Sequence, residues 1–375
     1  TLNALRLFWY SALQPVVFNV GIIIFGIARP KFFGAGIESQ AWGALFGALI
    51  GSIFIQIPAV LRNGLSLRPL WDLNDVGVRR VLKSLLPIVF GLASGQIIAL
   101  NLPRFLAGGL SAGDLSSIDY ANRIMQLPLA VLASGPAIAL FPTLSMLSAE
   151  GKIDELRIAL ASALRRTLLL TLFATALLMA LSVPVIQVLL EGGEFSHADT
   201  LFTARVLVCY SLGIVGLGVQ QMLARGFYAM QETRAPVVAG IVAMILFFAL
   251  GAFLTFGLGL GASGLALAAS VATTALGGWL WFGLRRKFGR WDEGATLQLL
   301  WKGSLAAVVA YVVAIAINYS LSTVANGFSG ATKYSVIFAT VTFASLGALA
   351  AFVATASVLR VKEVGFITAK LKRRK

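Results

Sequence analysis

The chain has 375 residues, of which 58% are hydrophobic and 12% charged, and it carries a formal net charge of +15. A soluble domain of this size exposes far more charge, so this composition excludes an ordinary soluble fold. The basic residues sit in loops between apolar runs, which points to orientation in a membrane and away from nucleic acid. Cys209 is the only cysteine and His197 the only histidine. An internal disulfide is therefore excluded, and no His-rich metal site or Ser-His-Asp triad can be assembled. Cys209 reads as a packing residue and His197 as a solvated loop residue.

Ten apolar runs follow in chain order: Trp9–Ala28, Gln40–Leu61, Val81–Ala107, Tyr120–Leu147, Ala161–Leu190, Thr203–Met230, Pro236–Phe256, Ala262–Leu284, Leu299–Tyr319 and Tyr334–Leu359. Each is near the roughly 20 helical residues that cross a bilayer core of about 30 Å. The runs are continuously apolar, whereas barrel strands would alternate over about ten residues. The expected fold class is an all-α polytopic membrane protein with about ten transmembrane helices. The chain opens at Thr1 with no cleavable signal pattern, in what reads as the approach to a helix already under way. An N-terminally incomplete chain is the expectation.

The loops after the second, fourth, sixth and eighth runs, together with both ends of the chain, hold 24 of the 30 basic residues. The opposite side holds only Arg29, Lys31, Arg104 and Lys333, beside acidic residues such as Asp114, Asp119, Glu191, Glu194 and Asp199. Both chain ends are thus expected to be cytoplasmic, with an even number of spans. The basic cluster Lys370–Lys375 reads as an anchor near anionic lipid.

Two basic residues break the pattern, Arg123 and Arg205. A charge at mid-membrane costs about 2.5–3.5 kcal/mol on insertion scales, and such residues face a cavity, a partner or the interface. Asn122 and Gln126 are four residues apart on one helical face, and Arg123 adjoins them. The same run contains Pro128, Pro136 and Pro142, which remove backbone hydrogen bonds and kink a helix. A kinked helix with a polar patch suits a cavity wall, while snorkelling to the outer interface is the competing reading of Arg123. For Arg205, snorkelling is the reading adopted. Ser94, Gln96 and Asn101 in the third run suit either the same cavity or interhelical hydrogen bonds. No carboxylate lies inside a run, so a proton relay or hard-cation site lacks its ligand. Gly257, Gly259, Gly261 and Gly264 read as a tight outer hairpin. No Walker lysine motif or dinucleotide fingerprint is present; no cofactor and no catalytic residues are expected, and the chain reads as a transporter rather than an enzyme.

Four strings carry a family resemblance. They are Tyr120-Ala121-Asn122-Arg123-Ile124-Met125-Gln126-Leu127-Pro128, Phe141-Pro142-Thr143-Leu144-Ser145, Glu191-Gly192-Gly193-Glu194-Phe195, and the run Ala224 to Pro236 that reads ARGFYAMQETRAP. In this order and at these positions they resemble the MurJ (MviN) lipid II flippases of the MOP superfamily, over essentially the whole chain. The family implies fourteen helices: two six-helix lobes around a cavity and two C-terminal helices forming a groove for a lipid tail. On that map residues 1–80 are the last two helices of the N-lobe, 81–286 the six-helix C-lobe, and 287–375 the C-terminal pair with a basic cytoplasmic tail. The first four helices would precede Thr1.

The resemblance places Arg123 on the family's cavity arginine, with Asn122, Gln126, Gln96 and Asn101 as further substrate-binding candidates. A guanidinium suits a pyrophosphate because it offers a planar fork of donors and a permanent charge. The implied partner is lipid II, an undecaprenyl-pyrophosphate-linked peptidoglycan precursor, moved from inner to outer leaflet of the bacterial inner membrane by alternating access. Membrane lipids and the cell-wall synthesis machinery are the other implied partners. Asn122 and Gln126 stand where some members have acids, and the carboxylates of a sodium site found in some relatives are missing from the third and seventh runs. Membrane potential is the remaining candidate drive. Another lipid-linked polysaccharide flippase of the superfamily and a non-transporting truncated scaffold are the alternatives.

Overall fold

Peptide groups in hydrocarbon find no water, so a spanning segment must satisfy them internally, and a helix does so within one segment. Every extended regular element among the described residues is accordingly helical. The structure, a computed structural model, describes residues 8–28, 37–62, 79, 109–110, 112–289, 291, 293–325 and 330–365. The chain divides into two compact units, Thr1–Leu85 and Leu86–Lys375.

In the first unit, α1 (Phe8–Ala28) lies against α2 (Ile37–Leu49), which continues through a π-helical segment, Ile50–Gln56, into α3 (Ile57–Arg62). Polar side chains inside this pair satisfy one another. Gln56 Nε2 donates to Gln14 Oε1 at 2.6 Å, and Ser39 Oγ donates to the Phe25 carbonyl at 2.6 Å.

The second unit begins with α4 (Ala112–Leu129), a π-helical segment Ala130–Ser134, and α5 (Gly135–Ala149). It continues with α6 (Ile153–Ala180), α7 (Ser182–Leu190), α8 (His197–Ser211), α9 (Ile214–Ala229), α10 (Arg234–Ala252), α11 (Gly261–Phe288), α12 (Glu293–Ala325) and α13 (Gly330–Val358). Two apolar clusters hold it together. One gathers Leu144, Leu160, Leu164, Phe227, Trp291 and Phe352; the other gathers Ile118, Met125, Leu207, Phe247 and Leu265.

By length and composition, seven of the described helical segments can cross a membrane, or eight if the bent pair α8–α9 is one span. Only 22–39% of each spanning window is buried, and side chains such as Phe54, Trp301 and Val358 stand exposed. Apolar surface on that scale requires apolar surroundings. The fold is an all-α, multi-span membrane fold. The third expected span, Val81–Ala107, and the basic cluster Lys370–Lys375 lie outside the described residues.

Three expected spans differ in detail. The fourth starts earlier, so Asp114 and Asp119 belong to α4. The fifth breaks at Leu181 (φ −109°, ψ 19°), because Pro184 has no N–H to give the Ala180 carbonyl. The sixth bends by 42° between α8 and α9. Carbonyls near that bend are met by side chains: Ser270 Oγ donates to the Cys209 carbonyl at 2.7 Å, and Thr175 Oγ1 to the Ser211 carbonyl at 3.2 Å. The hairpin before α11 turns on Gly259 and Gly261, whose φ values of 67° and 53° disfavour residues with a Cβ.

Between α7 and α8 the chain makes a short hairpin in which Gly192 and Phe195 exchange backbone hydrogen bonds. Ser196 and Asp199 then form a capping box on α8. The Phe195 ring meets Tyr120 of α4 edge-on, with centroids 6.0 Å apart. Glu191 organises this loop, accepting from Thr200 Oγ1 at 2.8 Å and Gln187 Nε2 at 3.1 Å, with His197 Nδ1 at 3.0 Å. Burial pushes its carboxyl up, but the bonds from His197, Thr200 and Gln187 together outweigh burial and hold it below its ordinary value.

A carboxyl lowered by folding stabilises the fold above its unfolded value, and that contribution is lost as pH falls through the folded value. Glu191→Gln in the complete protein is therefore expected to lower the melting temperature at pH 7 by on the order of 2 °C. The difference from wild type should shrink on acidification below the carboxyl range. A difference independent of pH would assign the effect to packing.

Candidate functional site

The polar patch is built on the third and fourth turns of α4. Ile118, Ala121, Ile124 and Met125 are buried in the second apolar cluster and fix the rotation of the helix. That rotation leaves Arg123 and Gln126 exposed and Asn122 half-buried. Gln126 Nε2 donates to Asn122 Oδ1 across one turn, as their four-residue spacing anticipates. Arg123 lies about 16 Å of helical rise from the start of α4 at Ala112. It has no carboxylate partner among the described residues, and Asp119, four residues before it, has an interaction of its own. A guanidinium left in this state is a ready ligand for an anion. Gln96 and Asn101 lie outside the described residues, so the structure brings together Asn122, Arg123 and Gln126 only. Arg205, on α8, is exposed.

Behind the patch runs a polar seam between the fourth and sixth spans. Toward the start of α4, Thr203 Oγ1 donates to Ser117 Oγ at 3.1 Å, both side chains being buried. Further along, the Tyr210 hydroxyl is buried and has no hydrogen-bond partner among the described residues. An unmade hydrogen bond at a buried group costs about 1–3 kcal/mol. Deeper still, Ser134 Oγ donates to Gln221 Oε1 at 2.6 Å. Ser134 closes the π-helical segment Ala130–Ser134, which lies between Pro128 and Pro136. π-Helical turns are frequent at functional sites.

Reading the sequence span by span does not find Ser134, Gln221 or Tyr210. The neighbouring pair Gln220-Gln221 inside an apolar run is the signal that points to Gln221. No comparable signal exists for Tyr210, since a tyrosine in an apolar run is commonly a packing residue.

A second feature is an apolar cleft of about 450 Å³, lined by Leu164 and Leu168 of α6, Val215, Gly216 and Val219 of α9, Gly277, Gly278 and Trp281 of α11, and Leu297 and Leu300 of α12. This volume falls within the range of small-molecule sites, roughly 300–1,000 Å³. Gly216 has no room for a larger residue, since a Cβ there would stand 2.6 Å from Thr274 Cα, whereas a Cβ at Gly278 meets nothing within 4 Å. At the mouth of the cleft, Arg285 Nε pairs with Glu293 Oε1 at 2.8 Å. The resemblance implies a groove formed by the ninth and tenth spans, and α12, the ninth, contributes to this cleft. In the structure α12 and α13 pack on each other, and the cleft lies between α12 and the helices before it. Among the described residues no group of three or more His, Cys, Asp or Glu side chains is placed to hold a metal ion.

Comparison with known proteins agrees with the four sequence strings. The family model described as "Lipid II flippase MurJ" matches residues 1–340. A probable lipid II flippase MurJ of Rhizobium meliloti is 30% identical over 386 aligned residues, covering 99% of this chain and 69% of that protein. Its counterpart in Buchnera aphidicola subsp. Acyrthosiphon pisum is 31% identical over 255 residues, covering 68% of this chain and 50% of that protein. The one in Vibrio cholerae is 28% identical, covering 88% and 61%. The chain thus spans about half to two-thirds of the length of these relatives. A solved structure, "Lipid II flippase MurJ, inward closed conformation", shares the fold with a TM-score of 0.69 at 22% identity, over 94% of this chain and 68% of that one. With a family model matching from its first residue to its tenth span, the chain belongs to the MurJ lipid II flippase family of the MOP superfamily.

Proposed function

We propose that this chain is the C-terminal part of a lipid II flippase, and that the complete protein carries the precursor from the inner to the outer leaflet of the bacterial inner membrane by alternating access. Two lobes rocking about a midplane site is the movement expected of such a fold. No covalent bond is made or broken. The observation that carries the reading is Arg123, a permanent charge left without a carboxylate partner among the described residues and exposed on α4 beside Asn122 and Gln126. In this reading Arg123 holds the pyrophosphate, and Asn122 and Gln126 contact the groups beside it. Gln96 and Asn101 complete the site from the third span. The apolar cleft receives part of the polyprenyl chain, because a chain without polar atoms leaves no unpaired group among Leu168, Val219 and Leu297.

The division at Leu85/Leu86 supports assigning residues 1–80 to the end of an N-lobe; the family resemblance assigns 81–286 to a six-helix C-lobe and 287–375 to two further helices with a basic tail. Ten spans with both chain ends cytoplasmic follow from the alternation of basic loops. The wall-synthesis machinery, which consumes lipid II on the outer face, is the partner this activity requires.

Two outcomes test the reading. In the complete protein, Arg123→Ala is expected to insert normally and to fail to replace the essential flippase in a depleted bacterium. Its affinity for undecaprenyl pyrophosphate should fall at least about tenfold, the value of one lost charge-assisted hydrogen bond. Full activity of that variant would sink the assignment. Gly278→Leu fills the cleft without a backbone clash and adds helix propensity. It should weaken binding of the full-length lipid while leaving a short-chain pyrophosphate analogue unaffected. Equal effects on both would place the tail elsewhere.

A further inference from the structure

Gln220 and Gln221 sit side by side midway along α9, both half-buried. Gln221 is held at one end of its carboxamide only: Oε1 accepts from Ser134 Oγ at 2.6 Å, and Nε2 donates no hydrogen bond among the described residues. Gln220 makes no hydrogen bond among the described residues. Neither amide is sealed in the interior. Hydrocarbon would leave such donors unmet at a large cost, so this turn of α9 opens on water or on a polar ligand. On α4 the polar positions Asn122, Arg123 and Gln126 are followed, beyond Pro128, by Ser134. In a regular α-helix Ser134 would stand about 80° round the axis from Gln126. The π-helical segment Ala130–Ser134 closes each turn with more residues, which carries Ser134 back toward the Gln126 face. Ser134 lies about 16 Å of helical rise beyond Arg123.

We propose that Gln221 is a second substrate contact, for the sugar and peptide part of the precursor, and that Ser134 is its positioning residue. This rests on the reading of the complete protein as a lipid II flippase. Beyond its pyrophosphate the precursor carries hydroxyls, amide carbonyls and N–H groups. A neutral carboxamide pairs with each of these, whereas a pyrophosphate calls for a permanent charge. The spacing fits as well: an extended peptide covers about 3.3–3.6 Å per residue, so about five residues span the distance from Arg123 to Ser134. The Ser134 bond fixes the carboxamide oxygen and leaves Nε2 as the donor presented to the ligand. Less side-chain freedom is then lost on binding.

The test uses the complete protein and two probes, lipid II and undecaprenyl pyrophosphate, which lacks the sugar and peptide. Binding of both is measured for Gln221→Leu, Ser134→Ala, Ser134→Thr and Arg123→Ala. In Gln221→Leu the freed Ser134 hydroxyl turns to the carbonyl four residues before it, so melting temperature should match wild type. Affinity for lipid II should fall about twofold to tenfold, the range of one hydrogen bond, with undecaprenyl pyrophosphate unaffected. Ser134→Ala should show the same selectivity with a smaller loss, and Ser134→Thr, which keeps the hydroxyl, should restore wild-type binding. Equal losses on both probes would make Ser134–Gln221 a packing contact and overturn the inference, as would no loss on either. If Arg123→Ala binds both probes as wild type does, the reading of the patch falls, while a loss in Gln221→Leu confined to lipid II still upholds the second contact. If Arg123→Ala loses both probes and Gln221→Leu loses neither, only the inference falls.

Discussion

A peptide carbonyl in hydrocarbon has no water to turn to, and each departure from regular helix in this chain must therefore be repaired from within. The repairs are visible at the bend between α8 and α9. Ser270 reaches across from α11 to the Cys209 carbonyl, and Thr175 reaches from α6 to that of Ser211. These hydroxyls come from two different helices, so the bend is a property of the packed unit and not of α8–α9 alone. Where the chain leaves the membrane at the α7–α8 hairpin, Glu191, Ser196 and Asp199 do the same work with charged and polar groups.

Charge follows the same constraint. The ion pairs Arg165–Glu363, Arg285–Glu293 and Lys287–Glu232 join different helices or their connecting segments, all at the end where basic residues collect. Each neutralises a charge near the boundary and ties one helix end to another. Arg165–Glu363 fastens the segment after α13 to α6, and Arg285–Glu293 fastens α12 to α11. Against that background Arg123 is conspicuous. The unit supplies ion pairs freely elsewhere, yet this guanidinium has no carboxylate partner among the described residues. An unpaired arginine on an apolar span is costly, and such residues mark pathways for polar or charged cargo.

Charge and hydropathy made the spans, the loop alternation and Arg123 legible, because each is a property of residue type at a position. The pairing of Asn122 with Gln126 was legible as well, since helical spacing alone brings them together. The breaks were harder to see. Hydropathy averages over Leu181 and Gly213 as readily as over any apolar residue, and only Pro184 and Gly213 hint that a run is two helices. Tyr210 was illegible for a different reason. Its hydroxyl is buried without a partner among the described residues, and that depends on how the helices pack around it, which no single run encodes. The cleft was not legible, because it depends on which face of α12 meets Trp281 and Leu300.

The two candidate regions are not independent, and α9 is what joins them. Val215 and Val219 line the apolar cleft, while Gln221, half a turn further on, faces away and accepts the Ser134 hydroxyl from the π-helical segment. A movement of α9 that widens the cleft must therefore strain or release the Ser134–Gln221 bond. Interhelical hydrogen bonds of this type are worth only about 0.6 kcal/mol on average in a membrane. A contact that weak can be exchanged without a large barrier, and it sits at the end of the π-helical segment bracketed by Pro128 and Pro136. Rigid helices on either side of such a point move as bodies, because packed interiors shift between discrete arrangements rather than deform continuously. A ligand in the cleft would thus bear on α9 directly, and one at Arg123 of α4 would bear on it only through the Ser134–Gln221 contact.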